Sequence, residues 1–313
     1  FLVTSLIGCS PRADYEIGII QIIAHPALDA ANQGFQEELT SLFQEVGKTV
    51  HFDSQDASGE SSNATTIANT MLGKNVDLIL AIATPAAQAA LAAATDSDIP
   101  LLFTAVTDPV QAGLVESFEV PNGNISGTSD MNPISQQVEL IKLLVPGITK
   151  IGVLYNTSED NSLVQVSILE EKCDEEGITL VKGGVNNNAT EIQTVMQTIL
   201  ANVELIYLPT DNLIAANAEQ IHGYNVEGNK IPIVGGEKGI NDVCGIATYA
   251  IDYYELGKQT ARMAFRVLYE KEDITKMPVE FQSGDPELTI NETIAQELDF
   301  EIPQAVLDLL NSA

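Results

Sequence analysis

Hydrophobic positions along this chain fall into short apolar runs separated by amphipathic stretches. Residues 16–23 form a nearly continuous β-branched run, the pattern of a parallel strand covered on both faces. His25-Pro26 ends it. Phe35, Leu39, Leu42, Phe43 and Val46 then recur at helical spacing, and Gly47 stands where a C-terminal cap would. The pattern continues with a strand at 49–52, a helix at 61–72 closed by Gly73, and a buried strand at 76–83. Thr84 reads as an N-cap and Pro85 as the first residue of a helix running to 94. A strand at 99–104 leads into Thr107-Asp108-Pro109. Strands alternating with helices at this pitch predict βαβ units on a parallel sheet.

Residues 121–132 are rich in turn formers, with one extended piece around Ile125, and read as a crossing between two lobes. Asn132 is placed to cap a helix that starts at Pro133 and ends near Pro146-Gly147. The first plan then repeats. Strands are predicted at 150–155, 178–185, 204–208 and 231–234, with a helix around 163–176. Ile17-Gly18-Ile19-Ile20-Gln21 matches Ile151-Gly152-Val153-Leu154-Tyr155. Val76-Asp77-Leu78-Ile79 leads to Thr84-Pro85 as Val203-Glu204-Leu205-Ile206 leads to Thr210-Asp211, and Ile99-Pro100 has its counterpart in Ile231-Pro232. Two similar α/β lobes facing each other enclose a cleft. Residues 245–249 read as a second crossing, followed by a strong helix at 253–270 that returns to the first lobe.

Composition narrows the function. At 313 residues and 45% hydrophobic, the chain supports two domains with real cores. Its 44 acidic residues against 14 Lys plus Arg leave a net charge of −30. That argues against a nucleic-acid partner, since phosphates would be repelled, and against a surface that hugs anionic lipid. The acidity reads either as a well-solvated exterior or as adaptation to a saline habitat. Three cysteines are too few for a disulfide scaffold; Cys173 and Cys244 read as small buried apolar residues. Cys9 differs. It ends Leu6-Ile7-Gly8-Cys9 after Phe1-Leu2-Val3, and the chain then turns polar, which resembles a bacterial lipobox. The expectation is a signal-peptide remnant, lipobox and linker over 1–14, with a lipid on Cys9 as the sole membrane attachment.

In open parallel sheets, ligands bind at the carboxyl ends of the strands. That rule selects Gln21, Leu28 and Asp29, the Thr84-Pro85-Ala86 turn, and Thr107-Asp108 in the first half. In the second half it selects Tyr155, Asn156, Asn161 and Ser162, then Thr210-Asp211-Asn212, then Gly235-Gly236-Glu237. Helix N-termini there suit a carboxylate. Asp108, Asp211 and Glu237 are the acids on the same edge, and an ammonium enclosed in the cleft needs one of them. Each has a plain alternative: Asp108 as a turn cap, Asp211 as a first-turn helix acid. Thr84 has capping as its alternative, and Asn156, Asn161 and Ser162 have ordinary loop polarity. His25, His51 and His222 lack metal-ligand spacing, and no nucleophile elbow, P-loop or Gly-x-Gly-x-x-Gly fingerprint occurs. No metal or cofactor is expected.

These residues resemble a known family. The signatures are Gln21 through His25-Pro26-Ala27-Leu28-Asp29, Ala83-Thr84-Pro85-Ala86, Val106-Thr107-Asp108-Pro109-Val110 and Asn124-Ile125-Ser126-Gly127. They continue with Ile151 to Asn156 plus Asn161-Ser162, Pro209-Thr210-Asp211, and Asp252-Tyr253 with Gly257. The family is the ABC transporter substrate-binding proteins of the tryptophan/tyrosine-type lipoprotein class. The resemblance implies a type I periplasmic-binding-protein fold, two Rossmann-like lobes with parallel sheets joined by three crossovers, the third at 277–281. It places 15–126 plus 249–278 in the N-terminal lobe and 127–248 plus 279–313 in the C-terminal lobe. It implies a monomeric, lipid-anchored, extracytoplasmic receptor that closes on an amino acid, aromatic in some members, and delivers it to an ABC permease and its ATPase. By position, Thr84, Ala86 and the Asn156 loop would face the ligand carboxylate, and Asp211 or else Glu237 the ammonium. Gly235-Gly236-Glu237-Lys238 is more glycine-rich than the family pattern. Tyr155, Tyr249 or Phe103 would supply a stacking face. Two rivals share the scaffold: a receptor that signals occupancy instead of transporting, and an α/β enzyme.

Overall fold

The computed structural model describes residues 13–198 and 201–312. The first lobe runs β1 (Tyr15–Gln21), α1 (Pro26–Glu45), β2 (Val50–Asp56), α2 (Ser61–Lys74), β3 (Leu78–Ile82), α3 (Thr84–Ala93), β4 (Leu101–Thr104) and β5 (Ile125–Ser129). The second runs α4 (Ile134–Leu144), β6 (Lys150–Asn156), α5 (Asp160–Glu175), β7 (Thr179–Val185), α6 (Ile192–Thr198), β8 (Leu205–Leu208), α7 (Asn212–Ala216), α8 (Ala218–Glu227), β9 (Ile233–Gly235), α9 (Lys238–Val243) and β10 (Ala247–Ala250). The chain then returns through α10 (Tyr253–Phe265) and β11 (Glu280–Phe281) to the first lobe. It finishes on the second lobe with β12 (Glu287–Ile290), α11 (Glu292–Glu297) and α12 (Gln304–Ser312).

Each lobe holds a six-stranded sheet, ordered β11-β5-β4-β3-β1-β2 and β12-β10-β9-β8-β6-β7. The duplicated sequence plan is therefore a duplicated topology. All pairings are parallel except β10 with β12, which is antiparallel. The apolar runs have a two-sided cause. On β8, Leu205 and Tyr207 pack into one core and Ile206 and Leu208 into another on the opposite face. Alternate side chains point to opposite faces, so a strand covered on both sides has no polar positions to spare.

The structure has the expected α/β architecture, but the three crossings lie further along than the sequence reading placed them. The expected divisions at 126/127 and 248/249 fall inside β5 and β10, and that at 278/279 falls ahead of β11. The reason is hydrogen-bond register: β5 pairs with β4 through Leu101 and Ile125, and β11 pairs with β5 through Phe281 and Ser129, so both strands stay with the first sheet. Tyr249 and Ala250 stay with the second, opposite Leu288 and Glu287. The chain passes between lobes at 130–133, 251–252 and 282–286. Two capping expectations also fail. Helix α3 begins at Thr84 itself, because Ala83 turns the chain with φ 80° and takes the cap position. Asn132 makes no side-chain cap for α4. Cys173 and Cys244 are buried free thiols, as the sequence implied. Cys9 lies outside the described residues.

Candidate functional site between the lobes

The carboxyl edges of the two sheets meet. From the first lobe come His25 after β1, Ala83-Thr84 after β3, Ala105 to Thr107 after β4, and Asp130 to Asn132 after β5. From the second come Asn156 to Asn161 after β6, Thr210 to Asn212 after β8 and Gly236-Glu237 after β9. Contacts cross the seam: Gln88 Nε2 donates to Asp160 Oδ2 at 2.7 Å, and His25 Nε2 lies 3.5 Å from Asn212 Oδ1. The lobes are closed on each other. The cavity among His25, Asp130, Asp211 and Glu237 measures about 10 Å³, room for one water and far below the usual size of a small-molecule site. A wider cleft of about 360 Å³, lined by Pro26, Ala27, Glu237, Lys238 and Tyr253, lies on the outer side of Glu237.

The second lobe's acids are of two kinds. Asp211 Oδ2 accepts from Asn156 N at 2.5 Å and Ser162 Oγ at 2.7 Å, while Oδ1 accepts from Ile214 N at 3.0 Å and caps α7. Burial, with the Glu159 charge close by, raises its pKa to about 7 despite these donors. Glu159 accepts from Asn156 Nδ2, Asn161 Nδ2 and Asn212 Nδ2, and from the Asn212 and Leu213 amides. Both carboxylates are thus tied up within their own lobe. Glu237 is not. It is 2% exposed, and neither carboxylate oxygen completes a hydrogen bond. Burial raises its pKa to about 8; the nearby amides of Ile240 and Gly239 offset this only in part, and the Asp130 and Asp242 charges add to it.

On the first-lobe side, Tyr253 Oη donates to Asp130 Oδ2 at 2.7 Å and Thr107 Oγ1 to Oδ1 at 3.0 Å. Burial still holds Asp130 above the usual carboxylate range. Burial drops His25 to about 4, so its imidazole is neutral at physiological pH; with Nε2 directed at Asn212 Oδ1, Nδ1 is an acceptor without a partner. Thr84 Oγ1, Thr210 Oγ1, Asn161 Oδ1 and both polar atoms of Asn132 are also buried and unpartnered. Buried polar groups are normally satisfied, so this concentration along one seam makes it the candidate site. Among the described residues, no Lys or Arg lines the cavity and no cluster with metal-binding potential occurs.

Of the residues singled out from sequence, Leu28, Thr107, Asn161, Asp211, Asn212 and Glu237 line this cavity. Pro85 and Asn156 line a second recess of about 80 Å³ between the lobes, where Asn212 also reaches. Thr84 sits at the head of α3 with its hydroxyl free of capping. Ser162 serves Asp211. The others lie elsewhere. Gln21 donates to Asp29 and to the Ile23 carbonyl, bracing the turn into α1, and Asp29 is exposed. Ala86 and Phe103 are in the first-lobe core, and Tyr155 and Tyr249 pack against the second-lobe core. Asp108 accepts from the Val110 and Gln111 amides, a turn cap. Gly236 donates to Leu208 O at 2.6 Å, and a Cβ there would lie 2.9 Å from that oxygen. His25 and Thr210 lie in the strand-end loops 21–28 and 210–212 that the carboxyl-edge rule picks out; sequence reasoning missed Asp130, Asn132 and Tyr253 as lining or unpartnered groups. Two signals were there to read: a buried Asp and Asn ending the first crossing, and Asp252-Tyr253 opening α10.

The description "ABC transporter substrate binding protein" fits residues 16–312, nearly the whole of the described chain. The chain belongs to that family. ABC transporter substrate-binding proteins work outside the cytoplasm, bind solutes and are not enzymes. No helix among the described residues is long and apolar enough to cross a membrane. A tyrosine-binding protein of Clostridioides difficile is 39% identical over 285 residues, 91% of this chain and 81% of its own length. A Streptococcus pneumoniae ABC domain solved in complex with L-Trp is 35% identical, with TM-score 0.85 over 93% of this chain and 98% of that one. The ligand-free, open structure of a substrate-binding protein with adhesive properties from Clostridium difficile is 38% identical, with TM-score 0.69 over 92% and 96%. At nearly equal identity the chain superposes better on the tryptophan-bound relative than on the open one, in keeping with the closed seam.

Proposed function

We propose that this substrate-binding protein captures an amino acid, aromatic by the kinship with tyrosine- and tryptophan-binding relatives, between its lobes and hands it to an ABC permease for import. The observation that carries the reading is the Glu237 carboxylate, buried without a completed hydrogen bond at a cavity that no Lys or Arg among the described residues lines. An α-ammonium group supplies the missing charge. The ligand carboxylate goes to the Thr84 hydroxyl and the first turn of α3, where free amides and the helix dipole favour an anion. Asn132, Asn161 and Thr210 complete the polar contacts from both lobes. Tyr253 and His25 are the ring-bearing residues at the cavity wall. The protein acts as a monomer, and the lipid on Cys9 tethers it to the membrane.

Thermal unfolding against the twenty amino acids tests this. A ligand at about 100 times its Kd adds about 2.7 kcal/mol, so L-tyrosine or L-tryptophan is expected to raise the Tm by several degrees. No shift with either, alongside a shift with a solute lacking an amine, contradicts the reading.

A further inference from the structure

The question left by Glu237 is what happens when the lobes close on nothing. In the closed protein its oxygens have no partner and no exposure to water. The groups around it leave it uncompensated. On the seam side stand Asp130, Asp211, Tyr253 and the neutral His25, with Glu159 behind Asn212. On the outer side stand Lys238, Asp242, Asp252, Asp285, Glu287 and Tyr254. Lys238 is the only cation in that set, and it is exposed and paired with Asp242 at 2.6 Å. Asp130 and Asp211 already have side-chain hydroxyl donors; Glu237 has only the nearby Gly239 and Ile240 amides, neither of which completes a hydrogen bond. An ionised carboxylate sealed in this way is costly.

We propose that Glu237 is a charge gate on closure, so that the lobes shut only when a cation or a proton reaches its carboxylate. This rests on the amine-bearing ligand proposed above and deepens it: selection for the amine is made at the closing step, not only at first docking. When an amino acid enters, its ammonium meets the Glu237 carboxylate and no proton moves. When the cleft closes empty, the carboxylate takes one proton from solvent and is neutral. A des-amino analogue brings a carboxylate and no cation, and closes the cleft only with that proton.

The sign of the pH dependence follows. Closure without an amine draws Glu237 from an ordinary 4.5 up to about 8. Empty closure is therefore favoured in acid and weakens about tenfold per pH unit as pH rises from about 4.5 to about 8. Asp211 titrates in the same window, which is why a Glu237 variant is needed. His25, lowered to about 4, stays neutral throughout.

The experiment is small-angle X-ray scattering of the full chain at pH 5.5 and 8.5. It is run without ligand, with L-tyrosine or L-tryptophan, and with 3-(4-hydroxyphenyl)propionate or indole-3-propionate. For wild type, the amino acids are expected to shrink the radius of gyration at both pH values, whereas the empty protein and the analogues give the compact form only at pH 5.5. Glu237→Gln, which keeps the shape and removes the charge, is expected to compact at both pH values without an amine. The gate is overturned if empty wild type has one radius at both pH values, if an analogue closes it at pH 8.5, or if Glu237→Gln keeps the wild-type pH dependence. If neither amino acid changes the radius or the Tm, the ligand assignment itself falls and takes the gate with it. The wild-type arms stand alone should the variant not fold.

Discussion

Asp211 and Glu237 show how two buried acids on one edge divide the work. Asp211 holds the Asn156 amide, the Ser162 hydroxyl and the start of α7, all within its own lobe. Removing it orphans three donors, so Asp211→Ala is expected to cost about 2–4 kcal/mol in urea unfolding. Glu237 completes no hydrogen bond, and its burial cost outweighs the help of the nearby Gly239 and Ile240 amides, so Glu237→Ala is expected to leave stability at pH 8 unchanged or higher while abolishing the ligand-induced Tm shift. Thr84→Val keeps the shape and removes one hydroxyl; calorimetry is expected to show affinity down about tenfold, with ligand-free Tm held. The sequence reading took Asp211 as a first-turn helix acid; the structure places it one position earlier, as the N-cap of α7. Thr84 was misread because its neighbour Ala83 adopts φ 80°, a turn more typical of glycine. The chain enters α3 one residue early, and the Thr84 hydroxyl is left over.

The elements were readable wherever apolar runs were long. Strands β1, β3, β6 and β8 announce themselves because both faces are covered. β11, at two residues, and β12, at four, carry too little pattern to be seen, and they set where the crossings fall. The return of α10 to the first lobe depends on close approach. An added Cβ on Gly257 would sit 2.0 Å from the Ala31 carbonyl oxygen in α1, and one on Gly34 2.1 Å from the Tyr254 oxygen. Backbone atoms cannot yield as side chains do. Gly257→Ala is therefore expected to push α1 and α10 apart and lower stability by about 1–3 kcal/mol, read from the urea midpoint. The sequence offered Gly257 only as a family mark; its reason is the helix crossing. α10 also carries Tyr253, so a shifted α10 disturbs the partner of Asp130 as well.

At the scale of the molecule, a net charge of −30 sits over two lobes whose surface ion pairs are mostly exposed. Such pairs contribute little each, and self-repulsion dominates. Raising salt from 10 mM to 0.5 M is expected to increase the Tm, because screening relieves repulsion more than it weakens the pairs; a fall would contradict this balance. The two-lobed plan was legible in the duplicated strands, and so was the edge that carries the candidate site. The way the lobes meet was not, because it depends on pairs remote in sequence, such as Gln88 with Asp160 and His25 with Asn212. No local pattern reports a partner that far along the chain. The most direct test is a crystal structure with whichever amino acid raises the Tm. The expected result is that solute between the lobes, its ammonium within hydrogen-bond distance of a Glu237 oxygen and its carboxylate at the head of α3. A solute bound outside the seam, or one whose amine faces away from Glu237, contradicts the account.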